Sequence, residues 1–410
     1  MLENVRVFDG DRASVGPMTV MFGRRVQWMG PAGEAPISGD GPIVDGRDQW
    51  LMPGLIDCHI HLEKAPDAYA SRGVTTLRDV GNSLALTDTI RASVGPWGAP
   101  WAGRVLRCGP LLDGPEPMWP SHSISIEEPD EVDAVIEQLA AAAVDAVKTY
   151  MYLSEPAHRR VVEVAHQYGL PVISHLGDVA ASTASAFGLD GIEHVTQGLY
   201  NDVVPPALRR KAVDRHRLGI APFWADIMAG WANSDPSSSP ASDALGQLAA
   251  SGVALTPTLA VINEMLDLGG SQPSGITPED GSLNRLTSGW TLDDFSRARD
   301  GVAVLQATVG LFFRLGGTVL AGTDNSGDLH DELQLLTTAG LSAIDALRAA
   351  TSAAAKSLQI LDRAGRVAPG MPADLILTTM TELGIPRVDQ ISHVWVDGVA
   401  VREPTSREKR

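Results

Sequence analysis

Both ends of the chain alternate apolar and polar positions over short stretches bounded by Gly and Pro, which is typical of half-buried strands. At the amino end the pattern runs through residues 1–55, in VRVFDG, PMTVMFGRRVQWMG and PIVDGRDQWLMPG. At the carboxyl end it returns in MPADLILTTM and ISHVWVDGVAVRE, where the Asp-Gly pair is a hairpin-turn signal. We therefore expect the two ends to pair in one sheet layer.

The segment between the two ends alternates short apolar stretches with Ala-rich stretches. The strand candidates are VTTLRDV, AVKTYMYL, PVISHL, GIEHV, VALTPTLA and GTVLAGTD. The helix candidates are EPDEVDAVIEQLAAAAV, SEPAHRRVVEVAHQYG and SAIDALRAATSAAAKSLQ, each with an acidic residue near its start. This order predicts repeated βα units and a parallel sheet, and a (β/α)₈ barrel of about 250 residues with insertions fits the span.

Two stretches, Asn82 to Pro129 and Gln197 to Gly252, are too long and irregular for plain connectors. We expect both to be active-site loops, the second with the low-complexity piece NSDPSSSPASD as the hinge or tip of a lid. Their tryptophans are either flat apolar walls of a pocket or anchors that pack on the barrel. These tryptophans are Trp97, Trp101, Trp119, Trp224 and Trp231.

The composition indicates an acidic, folded protein. With 410 residues and 44% hydrophobic content, the chain is long enough to bury a large core. Its formal net charge of −18 would repel a nucleic-acid backbone or an anionic membrane, so a small-molecule substrate is the better expectation. Cys58 and Cys108 are too few for a disulfide framework.

The sequence pattern indicates neither a secretion signal nor a membrane-spanning helix. The amino terminus mixes charged and apolar residues, so we expect no secretion signal there. The apolar run Val309–Phe313 is interrupted by Arg314, well short of the roughly 18 residues of a membrane-spanning helix. We expect a soluble, cytoplasmic protein, and the sequence leaves a homo-oligomer open.

Histidines and one aspartate stand at the ends of the predicted strands. In LMPGLIDCHIHLEK, His59 and His61 are alternate residues, so both imidazoles would face the barrel interior, where Zn²⁺ accepts nitrogen ligands. An HxH pair alone is a weak signal. His175 closes PVISH, His194 closes GIEH, and Asp324 follows GTVLAGT. The alternative is that each histidine is a hydrogen-bonded core residue and that Asp324 begins a turn or caps a helix.

Lys148 is an unusual residue for its place, because it lies in the apolar strand of DAVKTYMYL. An ammonium group is costly to bury unless it is paired or chemically changed. A neutral amine can add carbon dioxide and become a carbamate, which is an oxygen ligand able to bridge two metal ions. The alternative is a strand-end lysine that is paired with an acid.

Taken in order, these segments resemble the motifs of the amidohydrolase superfamily, most closely its prolidase-like and imidazolonepropionase-related branch. The motifs are PGLIDCHIHL, GVTTLRDVG, the strand-borne Lys148, ISH, IEHV, TPTL, AGTD and GRVAPGMPADLIL. The likeness runs over nearly the whole chain, from VRVFDG through PADLIL. It implies an α/β fold with a (β/α)₈ TIM barrel at residues 56–361 and a small β-sandwich built from residues 1–55 and 362–410.

The resemblance also implies a binuclear metal centre. Its ligands would be His59 and His61 for a buried ion, His175 and His194 for a more exposed one, Asp324 for the buried ion, and Lys148, carbamylated by CO₂, as the bridge. Two divalent ions, with Zn²⁺ as the expected metal, would hold a hydroxide that cleaves a C–N amide-type bond. The substrate would be a dipeptide, an N-acyl amino acid, a urea, a carbamate or a related compound, and Asp324 would be the catalytic general base.

Other residues are candidate substrate contacts, with packing or solvation as the alternative. They are Tyr150 and Tyr152 beyond the Lys148 strand, His122 in WPSHSIS, Trp224 and Glu264. In TYMYLSEP the chain departs from the Gly-rich segment of dipeptide-cleaving prolidase relatives.

Rival functions use the same residues differently. A mononuclear zinc deaminase of the same superfamily would use an acidic residue such as Asp178 in HLGD and would leave Lys148 without a role. A lactone or ester hydrolase is a further alternative. A barrel that only binds a ligand is disfavoured, because every implied metal position holds a competent side chain.

Overall fold

The two ends of the chain pair in one sheet, and most of its neighbouring strands run antiparallel. The computed structural model describes residues 1–36, 42–62, 66–211, 214, 218–266 and 286–403. The strands of this sheet are β1 (Leu2–Val7), β2 (Met18–Phe22), β3 (Val26–Pro31), β4 (Val44–Asp45), β5 (Trp50–Pro53), β16 (Leu375–Thr378), β17 (Ile391–Val396) and β18 (Val399–Arg402). Their order is β18-β17-β16-β5-β1-β2-β3, with β4 beside β1.

The joint between the two ends is the antiparallel pair of β5 and β16, in which Leu51 lies opposite Leu377. Both leucines are fully buried in the core of this sheet. The predicted Asp397-Gly398 turn joins β17 to β18, with φ of +48° and +73°, the left-handed pair that a two-residue hairpin turn requires. The predicted pairing of the chain ends is confirmed, while the domain bounds at 55 and 361 stay a prediction.

A second set of strands is parallel and forms the barrel. In chain order these strands are β6 (Leu55–Ile60), β7 (Val74–Asp79), β8 (Val105–Arg107), β9 (Leu111–Asp113), β10 (Ser123–Ser125), β11 (Val147–Thr149), β12 (Val172–Ser174), β13 (Gly191–Glu193), β14 (Ala254–Thr256) and β15 (Thr318–Val319). They pair in the orders β6-β7-β8 and β10-β9-β11-β12-β13-β14-β15. The backbone N–H of Cys58 in β6 donates to the Ala321 carbonyl, just after β15, at 2.9 Å. This bond links the two groups of strands where the barrel closes.

Helices alternate with the barrel strands, as the Ala-rich stretches predict. They are α1 (Asp67–Ser71), α2 (Leu84–Ala92), α3 (Val132–Ala141), α4 (Glu155–Gln167), α5 (Ala181–Ala186), α6 (Val195–Gly198), α7 (Tyr200–Val203), α8 (Ile220–Ala232), α9 (Ser239–Ser251), α10 (Leu259–Leu266), α11 (Leu292–Arg314), α12 (Leu329–Thr338), α13 (Ala343–Ala349) and α14 (Ser352–Ser357). Single 3₁₀ turns lie at Pro129–Glu131, Pro206–Leu208 and Val388–Gln390.

One predicted helix is two. The stretch SAIDALRAATSAAAKSLQ divides into α13 and α14 at Thr351. The Thr351 hydroxyl donates to the Leu347 carbonyl at 2.7 Å, and the Thr351 backbone leaves the helical region with ψ of −103°. A side-chain hydroxyl that bonds the backbone in this way competes with the helix, which explains the break.

The two stretches predicted as long irregular loops contain regular structure, and this part of the prediction is wrong. Residues 82–129 include α2 and the barrel strands β8 and β9, which the many Gly and Pro residues of this stretch did not indicate. The described residues between 197 and 252 are mainly helical. The segment NSDPSSSPASD runs into α9, whose Ala241, Leu245 and Leu248 are buried on one face.

The loop tryptophans are mostly anchors. Trp101 and Trp231 are fully buried and Trp97 is 7% exposed. The Trp231 indole Nε1 donates to the Thr196 carbonyl at 2.8 Å and so ties α8 to α6. These three tryptophans are therefore anchors that pack on the barrel, whereas Trp119 is exposed at the surface. No helix in the described ranges combines the length and the apolar composition needed to cross a membrane.

Arg104 joins the barrel to the sheet built from the chain ends. Its Nη2 donates to Asp374 Oδ1 at 3.0 Å and to Asp397 Oδ1 at 2.9 Å, and its Nη1 also pairs with Asp374. The side chains of Arg104 and Asp374 are only 11% and 10% exposed. We expect Arg104→Ala to lower the free energy of unfolding by about 3–5 kcal/mol, because Asp374 would stay buried without its cation.

The matched control for this prediction is Arg387→Ala, which removes an ion pair with Asp389 whose two side chains are both 70% exposed. We expect that control to leave the free energy of unfolding close to that of wild type, because solvent screens an exposed ion pair. Urea unfolding followed by circular dichroism measures both variants. Equal stability of the two variants would contradict a supporting role for Arg104.

Candidate metal centre

Strand β6 carries His59 into the barrel, and His61 follows just past its end. Asp57 accepts the backbone N–H of His59 at 3.1 Å and the hydroxyl of Thr323 at 2.7 Å, which fastens β6 to the segment after β15. The Asn325 side chain accepts the N–H of His61 at 3.0 Å and donates to its carbonyl at 2.5 Å. These bonds hold both histidines against the loop that follows β15.

Asp324 lies among the predicted histidines. Its Oδ1 is 3.5 Å from Nε2 of both His59 and His61, and its Oδ2 is 3.8 Å from Nδ1 of His194. One possible ligand atom each from His59, His194 and Asp324 lie within 4.8 Å of one another. The His175 ring adjoins that of His194, with centroids 4.4 Å apart. The structure therefore brings the four predicted histidines and Asp324 together at one mouth of the barrel.

Lys148 belongs to the same cluster. It lies in β11, is 1% exposed, and its Nζ has no hydrogen-bond partner in the part of the chain that the structure describes. Burial lowers the pKa of Lys148 to about 8, although the charge of Glu193 acts to raise it. Burial, followed by the charge of Lys148, in turn lowers the pKa of His175 well below its ordinary value. The predicted alternative, a direct ion pair of Lys148 with an acid, is absent from the described contacts.

The donor atoms of this cluster fit divalent cations. Among the described residues, His59 Nε2, both ring nitrogens of His175 and Lys148 Nζ are buried with no hydrogen-bond partner. A buried polar group without a partner costs about 1–3 kcal/mol. These atoms belong to His59 in β6, Lys148 in β11 and His175 directly after β12, so three separate parts of the barrel supply them. Burial also lowers the pKa of His61 to about 4 and those of His175 and His194 well below the ordinary value, so these three imidazoles are neutral and able to act as ligands at neutral pH. Burial and the charge of Lys148 act to lower the pKa of His59 as well, but Asp324 and Glu193 outweigh them and raise it.

A buried ion pair of Glu193 and Arg78 supports the cluster, and none of the sequence motifs above predicted it. The carboxylate of Glu193 lies 2.5 Å from His59 Nδ1, and Arg78 Nη2 donates to its other oxygen at 2.6 Å. Burial acts to raise the pKa of Glu193, but Arg78 and then His59 outweigh it and lower the pKa to about 2. An ionised Glu193 fixes the proton of His59 on Nδ1 and leaves Nε2 free for a metal.

Several residues of the centre adopt a strained backbone. His194, Thr258, Asp324 and Asn325 have φ of +61°, +50°, +53° and +60°, in the left-handed region that favours glycine. The Thr258 hydroxyl lies 2.8 Å from His194 Nδ1 and orients that ring. Such strain persists only where the surroundings hold it, and it concentrates at functional sites.

The sequence profile of the Amidohydrolase family matches residues 50–401, which include the whole barrel and the carboxyl-terminal strands. This chain belongs to the Amidohydrolase family. Adenine deaminase 2 of Rhizobium meliloti (strain 1021) is 28% identical to this amidohydrolase over 166 residues. That match spans 37% of this chain and only 27% of the deaminase.

Solved structures share the fold of this amidohydrolase. Bottromycin amidohydrolase superposes with a TM-score of 0.71 and 22% identity, over 97% of this chain and 86% of that chain. A prolidase complexed with N-methylphosphonate-L-proline gives a TM-score of 0.70 and 16% identity, over 98% and 99% of the two chains. Identities this low establish the fold alone. They confirm the predicted barrel with a separate sheet from the chain ends.

Only some of the residues predicted to contact substrate in this amidohydrolase lie beside the predicted metal ligands. The Tyr150 ring packs on His175 with centroids 4.6 Å apart, and its hydroxyl accepts from Trp119 Nε1 at 3.1 Å. His122 is exposed, and its described side-chain contact is the Ser121 hydroxyl at 2.9 Å. Trp224 is partly buried against the core. The structure thus places Tyr150 beside a predicted metal ligand and brings neither His122 nor Trp224 there by any described contact.

An open pocket of about 700 Å³ lies at the ends of the central barrel strands. Tyr152 lines it together with Glu116, Glu155 and Asp178. Asp178, the acidic residue that a deaminase would use, is exposed in this wall rather than buried among the imidazoles. Glu264 lies on α10, partly buried, with its carboxylate near Ser326.

Proposed function

We propose that this amidohydrolase cleaves a C–N amide-type bond of a small molecule with the help of two divalent cations held by the histidine cluster. The observation that carries the proposal is the convergence of unpaired, buried nitrogen atoms around the Asp324 carboxylate. A dipeptide, an N-acyl amino acid, a urea or a carbamate offers the carbonyl and the leaving amine that this arrangement would act on.

The imidazoles form two neighbouring pairs around Asp324. His59 and His61 are equidistant from Asp324 Oδ1 and would hold one cation together with that carboxylate. His175 and His194, whose rings adjoin, would hold the other. When bound, the two cations supply Lewis acidity that lowers the pKa of a water molecule and polarises a carbonyl group. Zn²⁺ suits this set of nitrogen and oxygen donors.

Lys148 would supply the bridging ligand as a carbamate. Its neutral amine attacks the carbon of CO₂, the N–C bond forms as one C–O π bond breaks, and the nitrogen gives one proton to water. With a pKa of about 8, the amine is already partly neutral at neutral pH, which an ordinary lysine is not. The product carries a negative charge on two oxygens and removes the buried ammonium from beside the imidazoles.

Asp324 would carry the proton of the reaction. Burial acts to raise the pKa of Asp324, but the interaction with His59 outweighs it and lowers the pKa, so the carboxylate is ionised at neutral pH. It takes a proton from the attacking water as the C–O bond forms. It then gives that proton to the amine nitrogen as the C–N bond breaks. Tyr150, beside His175, would contact the substrate.

Metal content and hydrolysis together test the proposed function. We expect protein prepared with excess zinc and bicarbonate to hold two zinc ions per chain and to hydrolyse members of a panel of dipeptides, N-acyl amino acids, ureas and carbamates. Removal of the metal with a chelator should abolish hydrolysis, and zinc should restore it. Elemental analysis and amine release measure these outcomes. Metal-free protein that hydrolyses the panel at the same rate would contradict the proposal.

A mononuclear deaminase is the second candidate, and the match to adenine deaminase 2 favours it. The exposed position of Asp178 and the burial of Lys148 among the imidazoles weigh against it. One zinc ion per chain, with ammonia released from adenine, would establish the deaminase instead.

A further inference from the structure

Glu332 is a buried carboxyl group with no role in the chemistry above. It lies on α12, in the helix that follows the Asp324 loop, and it is 0% exposed. Its Oε2 accepts the backbone N–H of Ala260 at 2.7 Å, and the backbone N–H of Leu259 also bonds it. Its Oε1 has no partner within the described ranges. Burying the unpaired Oε1 disfavours folding, so the two bonds to backbone amides are what favours a carboxyl group at this position.

The two amides bound by Glu332 belong to the first residues of α10, which directly follow Thr258. Thr258 has φ of +50°, a conformation that is unfavourable for a β-branched residue. A conformation of this kind needs contacts that hold it in place. Glu332 provides such a contact, because it reaches from α12 to the backbone of this turn.

The same turn orients a predicted metal ligand. The Thr258 hydroxyl lies 2.8 Å from His194 Nδ1, and the His194 backbone N–H donates to the Thr256 carbonyl at 2.9 Å. When the hydroxyl accepts from Nδ1, the other ring nitrogen, Nε2, is left without a proton and free to bind a cation. The orientation of the His194 ring therefore depends on where the turn places Thr258.

We propose that Glu332 is a positioning residue, which holds the turn at residues 256–259 so that Thr258 keeps His194 in its metal-binding orientation. It also ties this turn to the helix after Asp324, so that the ligands His194 and Asp324 are held by one connected structure. The inference rests on the proposed function, because it takes His194 to bind a cation.

The test measures zinc affinity by competition with a chromophoric chelator, and zinc stoichiometry, on the full-length chain. We expect Glu332→Met, which keeps the size but removes the acceptors, to weaken the weaker-bound zinc about 10- to 100-fold. Glu332→Gln keeps an acceptor oxygen and should stay within about threefold of wild type. Thr258→Val should match Glu332→Met, and the double variant should lose no more than either single variant, because both changes act on one contact.

The control is Asp190→Asn, which alters a carboxylate that accepts the backbone N–H of Val172 at 2.8 Å at the other end of the barrel strands. Its zinc affinity should equal that of wild type. If Glu332→Met does not fold, Glu332→Asp replaces it, since the shorter side chain cannot reach Ala260. Wild-type affinity in the Glu332 variant, or additive losses in the double variant, would overturn the inference. A wild-type chain that binds no zinc would instead overturn the proposed function itself.

Discussion

Asp324→Asn is expected to lower the turnover number by about 10²–10⁴-fold, the usual contribution of a positioned general acid or base. An amide keeps the shape of the carboxylate and one oxygen for a metal, but it cannot accept a proton at neutral pH. The zinc content should therefore stay close to two ions per chain. Steady-state hydrolysis and elemental analysis of the same preparation measure the two quantities.

The matched control is Asp345→Asn, the same chemical change at a carboxylate in the first turn of α13, which accepts from the Ser342 hydroxyl and pairs with Arg348 at 2.8 Å. It should leave turnover unchanged. Loss of zinc together with turnover in Asp324→Asn would show that Asp324 acts as a ligand more than as a base. Unchanged turnover would refute its assigned role.

The parts of the fold that could be predicted are those where one local pattern has one structural meaning. Alternation of apolar and polar residues at the two ends predicted strands, and β5 and β16 do pair there. Strands β8 and β9 gave no such signal, unlike β12 and β13, which are equally short but lie in the apolar stretches PVISHL and GIEHV. Strands β8 and β9 have three residues each, and their hydrogen bonds come from neighbours that are distant in the sequence. Helices α8 and α9 pack against α11, a contact between distant parts of the chain that a local pattern does not contain.

The candidate site shows the same division. His175 and His194 could be proposed because each ends an apolar strand, and parallel strands end at the same face of a barrel. The support of Glu193 for His59 was missed, although a glutamate inside the apolar stretch GIEHV was a usable signal, since a buried charge needs a partner. The left-handed Thr258 backbone was not predictable, because its conformation is held by contacts from Glu332.

Lys148→Met is expected to abolish measurable turnover and to reduce zinc binding from two ions to one or fewer. Methionine fills the buried space of the lysine stem, so the fold should survive, but it cannot form a carbamate. Lys148→Glu offers a carboxylate in a similar place and should recover part of the zinc binding. The control is Lys356→Met, at an exposed lysine on α14, which should match wild type in both measurements.

The pH dependence of zinc reconstitution separates a carbamate from a simple amine ligand. Only the neutral amine adds CO₂, and with a pKa near 8 its fraction falls about tenfold for each pH unit below that value. At a fixed concentration of dissolved CO₂, the rate of reconstitution should therefore rise from pH 6 to pH 8 and then level off. Without CO₂, the chain should take up zinc slowly and stay inactive. Full activity in CO₂-free buffer would mean that Lys148 is not carbamylated, whatever the effect of Lys148→Met.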